Sequence, residues 1–264
     1  MKRVDRIQLS YNLTFTMPFH CGTGLRVGLI DRTIVRDHDG YLYVPGSTIK
    51  GVLREQCEQL ARLYEVLDEE MQELIASPHD KEKALWMQGC PHTMVTRIFG
   101  SHSSPGLLFF DDARQTNSAK RQYDSKERGS KGKGKYKDTQ IDLYTRVRLD
   151  RPTRTAARGA LYTSEVGSKD LSFEGHITGW LSCTPIEGLK DDPTYSLLLL
   201  LAGIHLLDRI GGNKSAGKGQ CRCEITTFKR GDTLYEEEQW KLWLDDLEKL
   251  SYYSTYGISQ EVER

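Results

Sequence analysis

Strand, helix, strand, strand, helix, strand is the order of patterns along this chain, and it predicts an α+β fold on the ferredoxin-like (RRM-like) βαββαβ plan, carrying insertions. Three observations lead there: an alternating segment at the start, a helix with apolar periodicity after a hairpin signal, and an almost wholly apolar helix between two later strands. On such a plan an antiparallel sheet carries two helices on one face and leaves the other open. The 264 residues suffice for one large domain, and we read 1–264 as a single domain with insertions at about 66–105 and about 115–160.

The first strand is IQLSYNLTFTMPF (7 to 19), where apolar and polar residues alternate as in a half-buried strand. RTIVRDHDGYLYV follows, with Asp39-Gly40 between two β-rich runs, a strong hairpin signal. In GSTIKGVLREQ, Ser47 or Thr48 caps a helix whose apolar positions Ile49, Leu53, Leu60 and Leu63 recur at helical spacing. A second helical stretch is expected from Asp68 to Ile75, and GCPHTMVTRIFGSHSSPG reads as loop. GLLFFDDAR (106 to 114) is a short buried strand. SKERGSKGKGKYK has the composition of a mobile basic insertion. Strand patterns return at Leu161 to Glu165 and Leu171 to Ser182, followed by an apolar helix from about Ser196 to Leu207. The turn IGGNKSAGKGQ leads into the strand CRCEITTFKR, and an acidic helix at about 235–250 closes the plan with Trp240, Trp243, Leu247 and Leu250, its tryptophans read as core.

Charge balances at 37 basic against 37 acidic residues, so the net charge points to no polyanionic partner. The local distribution does: Lys120 to Lys137 holds eight Lys or Arg against two acids, and the stretch from Asp232 onward holds nine acids against three bases. The six cysteines are scattered, and MKRVDRIQLSYNL lacks the apolar core of a signal peptide, so a cytoplasmic protein is expected. SLLLLLAGIHLL is too short to span a bilayer and reads as a buried helix, so no membrane partner is expected. Cys21 has no evident base partner that would make it a nucleophile. Cys57, His79, Cys90 and His92 lack the regular four-ligand spacing of structural zinc, and no zinc is assigned.

Three glycine-rich bends carry the candidate chemistry. Backbone N–H groups at the start of the GSTIKG helix, with Ser47, Thr48, Lys50 and Arg54, make either a phosphate cradle or an ordinary capped helix. Gly212 to Lys218 satisfies most of the G-x-x-x-x-G-K pattern, but Gly219 stands where Ser or Thr would hold magnesium. The turn also leaves a helix and opens a strand, the reverse of a nucleotide-binding P-loop, so ATP or GTP binding is excluded. What remains is a loop in which Gly211, Gly212, Lys214, Ser215 and Lys218 offer N–H groups and cations to a nucleic-acid backbone, or a solvated turn. The third bend is FHCGTGLRVGLID (19 to 31): His20 is of a type to stack on a base or touch a phosphate, Arg26 to hold a phosphate, and Asp31 is a lone acid or a turn residue.

GTGLRVGLID, YVPGSTIKGVLRE and IGGNKSAGKG, in this order on a ferredoxin-like plan, resemble the RAMP superfamily of CRISPR-associated proteins. The nearest resemblance is to the backbone subunit of type III effector complexes. That family shows G-x-I-D-x-x-V-x-R-D, here GLIDRTIVRD, and then P-G-S-S-L-K-G, here PGSTIKG; IFGS (98 to 101) and RVRLDRPTRTA (146 to 156) are also similar. The resemblance implies a subunit that binds CRISPR RNA along its backbone within an antiviral ribonucleoprotein. It further implies cleavage of complementary single-stranded target RNA by the acid ending the first loop, which falls on Asp31, with Mg²⁺ or another divalent cation. Lys50 and Arg54 then look like guide-backbone contacts, and Arg148, Arg151 and Arg154 lie in a thumb-like hairpin. Implied partners are CRISPR RNA, target RNA, other CRISPR-associated subunits and further copies of the chain. Two other readings stand beside it: a scaffolding subunit that binds without cutting, and a CRISPR-RNA processing endoribonuclease with His20 as its acid-base group.

Overall fold

The structure, a computed structural model, describes residues 3–64, 93–101, 105–117, 119, 120 and 140–253. The expected helix from Asp68 to Ile75, most of the basic stretch Lys120 to Lys137, and His79, Cys90 and His92 lie outside these residues.

The alternation read in the first segment becomes β1 (Arg3–Phe15), the long central strand. Asp5, Ile7, Leu9, Tyr11, Leu13 and Phe15 all point inward, because every second side chain of a strand faces the same way. Two short strands, β2 (Tyr43–Val44) and β3 (Leu108–Phe110), and then β4 (Ala113–Arg114), supply one edge. A hairpin of β5 (Ile141–Asp150) and β6 (Thr155–Gly167) forms its own two-stranded sheet. β7 (Ser172–Cys183), β8 (Cys221–Arg230) and β9 (Thr233–Tyr235) complete the main sheet, ordered β2-β4-β7-β1-β8-β9 with β3 also on β7. β1 pairs antiparallel with β7 (Leu9 opposite Ile177) and with β8 (Leu13 opposite Cys223).

Two helices pack with the inner face of this sheet into one core: α1 (Gly46–Tyr64) and an apolar helix whose buried residues run from Tyr195 through Ile204. Between them in the chain comes α2 (Met94–Phe99), so the apolar helix is α3 (Tyr195–His205). α3 is covered on every side, as an all-apolar helix must be. The thiol of Cys57 lies 3.6 Å from the carbonyl oxygen of Leu199, buried where the helices meet. Phe15, Phe19 and Phe173 form a second focus, with Phe15 stacked on Phe19 at 3.9 Å between ring centroids. α4 (Glu237–Leu244), continued by a short 3₁₀ helix at Leu247–Tyr252, buries Trp240 and Trp243, which are core residues as read.

Four local expectations change. The α1 helix starts at Gly46, before Ser47 and Thr48, and neither hydroxyl caps it. The Pro45 carbonyl takes the N–H groups of Thr48 and Ile49, and the carboxylate of Asp112 takes the Gly46 N–H at 2.9 Å. Leu63 is exposed, and Val52, Cys57 and Ala61 line the buried face instead. Part of the stretch read as loop is the helix α2, capped by the Thr93 side chain. The Asp39-Gly40 turn forms, with Gly40 at φ 81°, but no long hairpin follows it. The N–H groups of Ile34 and Val35 go to the Glu165 carboxylate and the Cys21 carbonyl, so they are not available to a partner strand.

Among the described residues no helix is long and apolar enough to cross a membrane.

Candidate nucleic-acid interface

The β5–β6 hairpin is long and thinly supported, and a two-stranded ribbon alone is marginal in water. Its base is therefore where the first glycine-rich bend does its structural work. Phe19 and Gly167 exchange both backbone hydrogen bonds, at 3.1 and 2.7 Å. Arg32 bridges Ser164 in parallel register, and the Thr163 carbonyl takes the N–H groups of Asp31 and Arg32. Glu165, buried, accepts from the Ile34 N–H and pairs with Arg36.

The third bend closes on the first. The Gly212 N–H donates to the His20 carbonyl and the Gly219 N–H to the Pro18 carbonyl, both at 2.8 Å. A Cβ at Gly219, whose φ is 75°, would lie 2.0 Å from the Ile210 oxygen, so the chain can turn back here only with glycine. Lys214 reaches the other way and ion-pairs with Glu55 of α1 at 2.6 Å, tying the bend to the helix that carries Lys50 and Arg54. The first and third bends thus meet at the hairpin base, and the third also touches the second.

Asp31 stands at that base with 26 % of its side chain exposed. One carboxylate oxygen accepts the Thr163 N–H at 2.9 Å and the other pairs with Arg26 at 3.0 Å. It is thus a clamp between loop and hairpin, whatever else it does. The expected Mg²⁺ would find one carboxylate with both oxygens engaged, and among the described residues no three His, Cys, Asp or Glu side chains stand together. A resident ion does not fit that donor set; one arriving with RNA would take its other ligands from phosphate and water.

His20 sits between the bends. Its Nδ1 lies 2.7 Å from the Glu165 carbonyl oxygen, so Nδ1–H donates and Nε2 is left as an acceptor. Burial pulls its pKa below the ordinary value, with the Lys218 and Arg32 charges adding to the effect, so the ring is neutral at neutral pH. Lys218, between Gly217 and Gly219, is only 6 % exposed, and its Nζ stands 4.7 Å from the centroid of the Tyr144 ring. Burial, then the charges of Arg146 and Arg32, lower its pKa. Arg146 lies over the same ring at 6.0 Å and Arg32 over Tyr162 at 5.6 Å. Tyr144 faces Ser164 and Arg146 faces Tyr162 across the hairpin, all on one side of the ribbon.

The other sequence candidates are dispersed. Lys50 lies over the Phe110 ring at 5.9 Å. Arg54 pairs with Glu58 and turns toward the Gly100 carbonyl. The α1 start already holds the Asp112 carboxylate, which takes the place a phosphate would have had. Ser47 and Ser215 are exposed. Arg148, Arg151 and Arg154 crowd the far turn of the hairpin, roughly 25–30 Å of extended strand from its base. Arg32, Tyr144, Arg146 and Tyr162 escaped the sequence reading. Their signal is present in IDLYTRVRLD, where polar and apolar residues alternate as in a strand and Tyr144 and Arg146 share one face. Cys21 is buried, and burial pushes its thiol up to about 12.

The chain thus builds a sheet with two helices on one face, glycine-rich bends that meet at one end, and a projecting hairpin. The sequence profile of the RAMP superfamily matches residues 12–222, and the chain belongs to that superfamily. It is similar in structure to a chain of a Type III-B Cmr-beta complex bound to cognate target RNA, with 13 % identity, a TM-score of 0.51, and 83 % of this chain and 96 % of that one covered. It is also similar to a chain of the Type III-B Cmr-beta complex in its apo state, with 14 % identity, a TM-score of 0.50, and coverage of 83 % and 97 %. At such identity the likeness carries the fold. A search of curated proteins gives no match.

Proposed function

We propose that this chain is an RNA-binding backbone subunit of a type III CRISPR ribonucleoprotein, holding guide RNA along a track at the base of its hairpin. The observation that carries the reading is the junction of two glycine-rich bends at that base, Gly212 N–H on the His20 carbonyl, beside cations that have no carboxylate partner among the described residues. The relation of β1, β7, β8 and the β3–β4 edge to α1 and α3 supports the finer reading of a ferredoxin-like βαββαβ core. The hairpin's second face carries exposed Leu143, Val147 and Leu161, an apolar row suited to lie against a neighbouring subunit or an unstacked base. Its partners are then guide RNA, target RNA and adjoining subunits.

The scaffold role is primary. Target cleavage through Asp31 is a second reading, favoured by the carboxylate's partial exposure at the hairpin base. Processing of precursor RNA is a third, favoured by the neutral His20 with a bare Nε2. Fluorescence anisotropy of the full chain with single-stranded RNA tests the first: binding should weaken linearly in log K against log salt. A chain that binds no RNA at about 50 mM salt sinks all three. Persistent cutting of repeat RNA by the chain alone in chelator would favour the third.

A further inference from the structure

We infer that Lys218, Arg146 and Arg32, gathered around Tyr144 and Tyr162 at the hairpin base, form a preorganised pocket for one backbone phosphate of single-stranded RNA. This pocket, and not Arg26, Arg54 or Lys214, supplies the salt-dependent part of binding. The inference rests on the RNA-binding reading above and says which residues carry it.

Charge pairing separates two populations of cations in this region. Arg26 is neutralised by Asp31, Arg54 by Glu58 and Lys214 by Glu55, at 3.0, 2.8 and 2.6 Å. To meet RNA, each must leave a carboxylate, so the gain is the difference between two anions. Lys218, Arg146 and Arg32 have no carboxylate partner among the described residues, only aromatic faces. Lys218 is the extreme case. A lysine 6 % exposed has given up most of its hydration, and an aromatic face returns only part of that. Two further cations lie close enough to lower its pKa. Cations are held together against repulsion, without an anion of the protein's own, where an external anion completes the set.

Geometry then selects phosphate over base. Lys218 and Arg146 already stand over the Tyr144 ring and Arg32 over the Tyr162 ring, so stacking a base on those faces would displace the cations. The donors left over are the ammonium and guanidinium N–H groups, which suit phosphate oxygens. The pocket should therefore ignore base identity. Its position is fixed from both sides: Gly217 and Gly219, both in left-handed conformation, turn Lys218 inward, and the cross-strand pairs set Tyr144 and Arg146.

The test measures anisotropy of the full chain with fluorescent oligouridylate and oligoadenylate over a salt series. The variants are Lys218→Gln, Arg146→Gln and Arg32→Gln, with Arg26→Gln and Lys214→Gln as controls. Each pocket variant should lower the salt slope, by at most the roughly 0.7 that one phosphate supplies, and weaken binding about tenfold near 50 mM salt, equally for both RNAs, and the controls should change affinity less than about threefold. Arg32 is exposed, so its variant reports even if Lys218→Gln does not fold. Pocket variants with wild-type slope beside weakened controls overturn the assignment and leave the RNA reading intact. A loss confined to one of the two RNAs makes the site a base reader and also overturns it. Absence of binding by the wild-type chain removes the reading beneath it.

Discussion

Replacing Asp31 with alanine removes two contacts at once, and they differ in worth. The Thr163 N–H at 2.9 Å is a hydrogen bond to a charged acceptor in a half-buried place, a kind that contributes about 1.5–3 kcal/mol. The Arg26 pair, with its guanidinium 69 % exposed, is screened by water and contributes less than about 1 kcal/mol. Two backbone bonds to the Thr163 carbonyl remain, from the Asp31 and Arg32 N–H groups, so the loop is loosened rather than freed. The expected loss is about 2 kcal/mol, a fall of about 4–8 °C in melting temperature for a chain of this size. Asp31→Asn keeps an acceptor and should lose about half as much, and Arg26→Ala less again. Hydrogen exchange gives the sharper readout, because the Thr163 amide itself should lose about 10- to 100-fold protection in Asp31→Ala. Wild-type protection at Thr163 together with wild-type melting would refute the clamp. RNA affinity should hold or rise slightly, since Arg26 is released. In an assembled complex, target RNA cut as before opposite Asp31→Ala would remove the reading of target cleavage through Asp31.

Three further outcomes follow from the geometry. A Cβ at Gly46 would lie 2.0 Å from the Phe110 carbonyl oxygen, so Gly46→Ala must shift backbone and should destabilise by about 3 kcal/mol in denaturant titration. Arg230 and Asp5 form a buried ion pair at 3.0 Å, with Arg230 also donating to the carbonyls of Asp191 and Asp192. Arg230→Ala leaves the buried Asp5 carboxylate with only the half-exposed Arg3, 2.9 Å away, and should lose about 3 kcal/mol, while Asp5→Leu combined with Arg230→Met should recover part of it. His20 titrates below its unfolded value of 6.5, so the folded state resists a proton that the unfolded chain accepts. Stability should therefore decline as pH falls through and below about 6.5, and His20→Gln should flatten that slope in melts between about pH 5 and about pH 7. A phosphate beside the ring would raise its pKa, so RNA binding by the wild type should tighten over the same interval.

The main sheet and its helices were readable because their signals are local. Alternation in the first strand, the apolar block of α3 and the β8 pattern each need about a dozen residues; α3 and β8 appear within a residue or two of their expected bounds, while β1 runs from Arg3 to Phe15, four residues earlier than the expected 7 to 19. The start of α1 was misplaced because its cap comes from Asp112, sixty-six positions away in sequence. The Asp39-Gly40 turn was visible, but the failure of the hairpin beyond it was not. That failure depends on Glu165 capturing the Ile34 N–H across a separation of 131 residues. Leu63 kept the helical period and still faces solvent, since periodicity marks a face and leaves open how far along the helix that face is covered.

The same distinction decides which cations matter at the hairpin base. A sequence shows a lysine as a charge, and Lys214 and Lys218 look equivalent in GNKSAGKG. The fold makes them opposites: Lys214 swings out to Glu55, 159 residues earlier, and Lys218 is folded under Tyr144 beside two arginines. An ion-paired surface cation gives a polyanion little, because the carboxylate it leaves must be rehydrated as the phosphate arrives. A buried cation with like-charged neighbours has paid its desolvation on folding and gains most of the new interaction. Glycine spacing and charge in the sequence therefore locate the region that the proposed reading assigns to RNA. Which of its cations would hold the chain to RNA on that reading follows from the carboxylates that the fold brings to some of them and, among the described residues, keeps from the others.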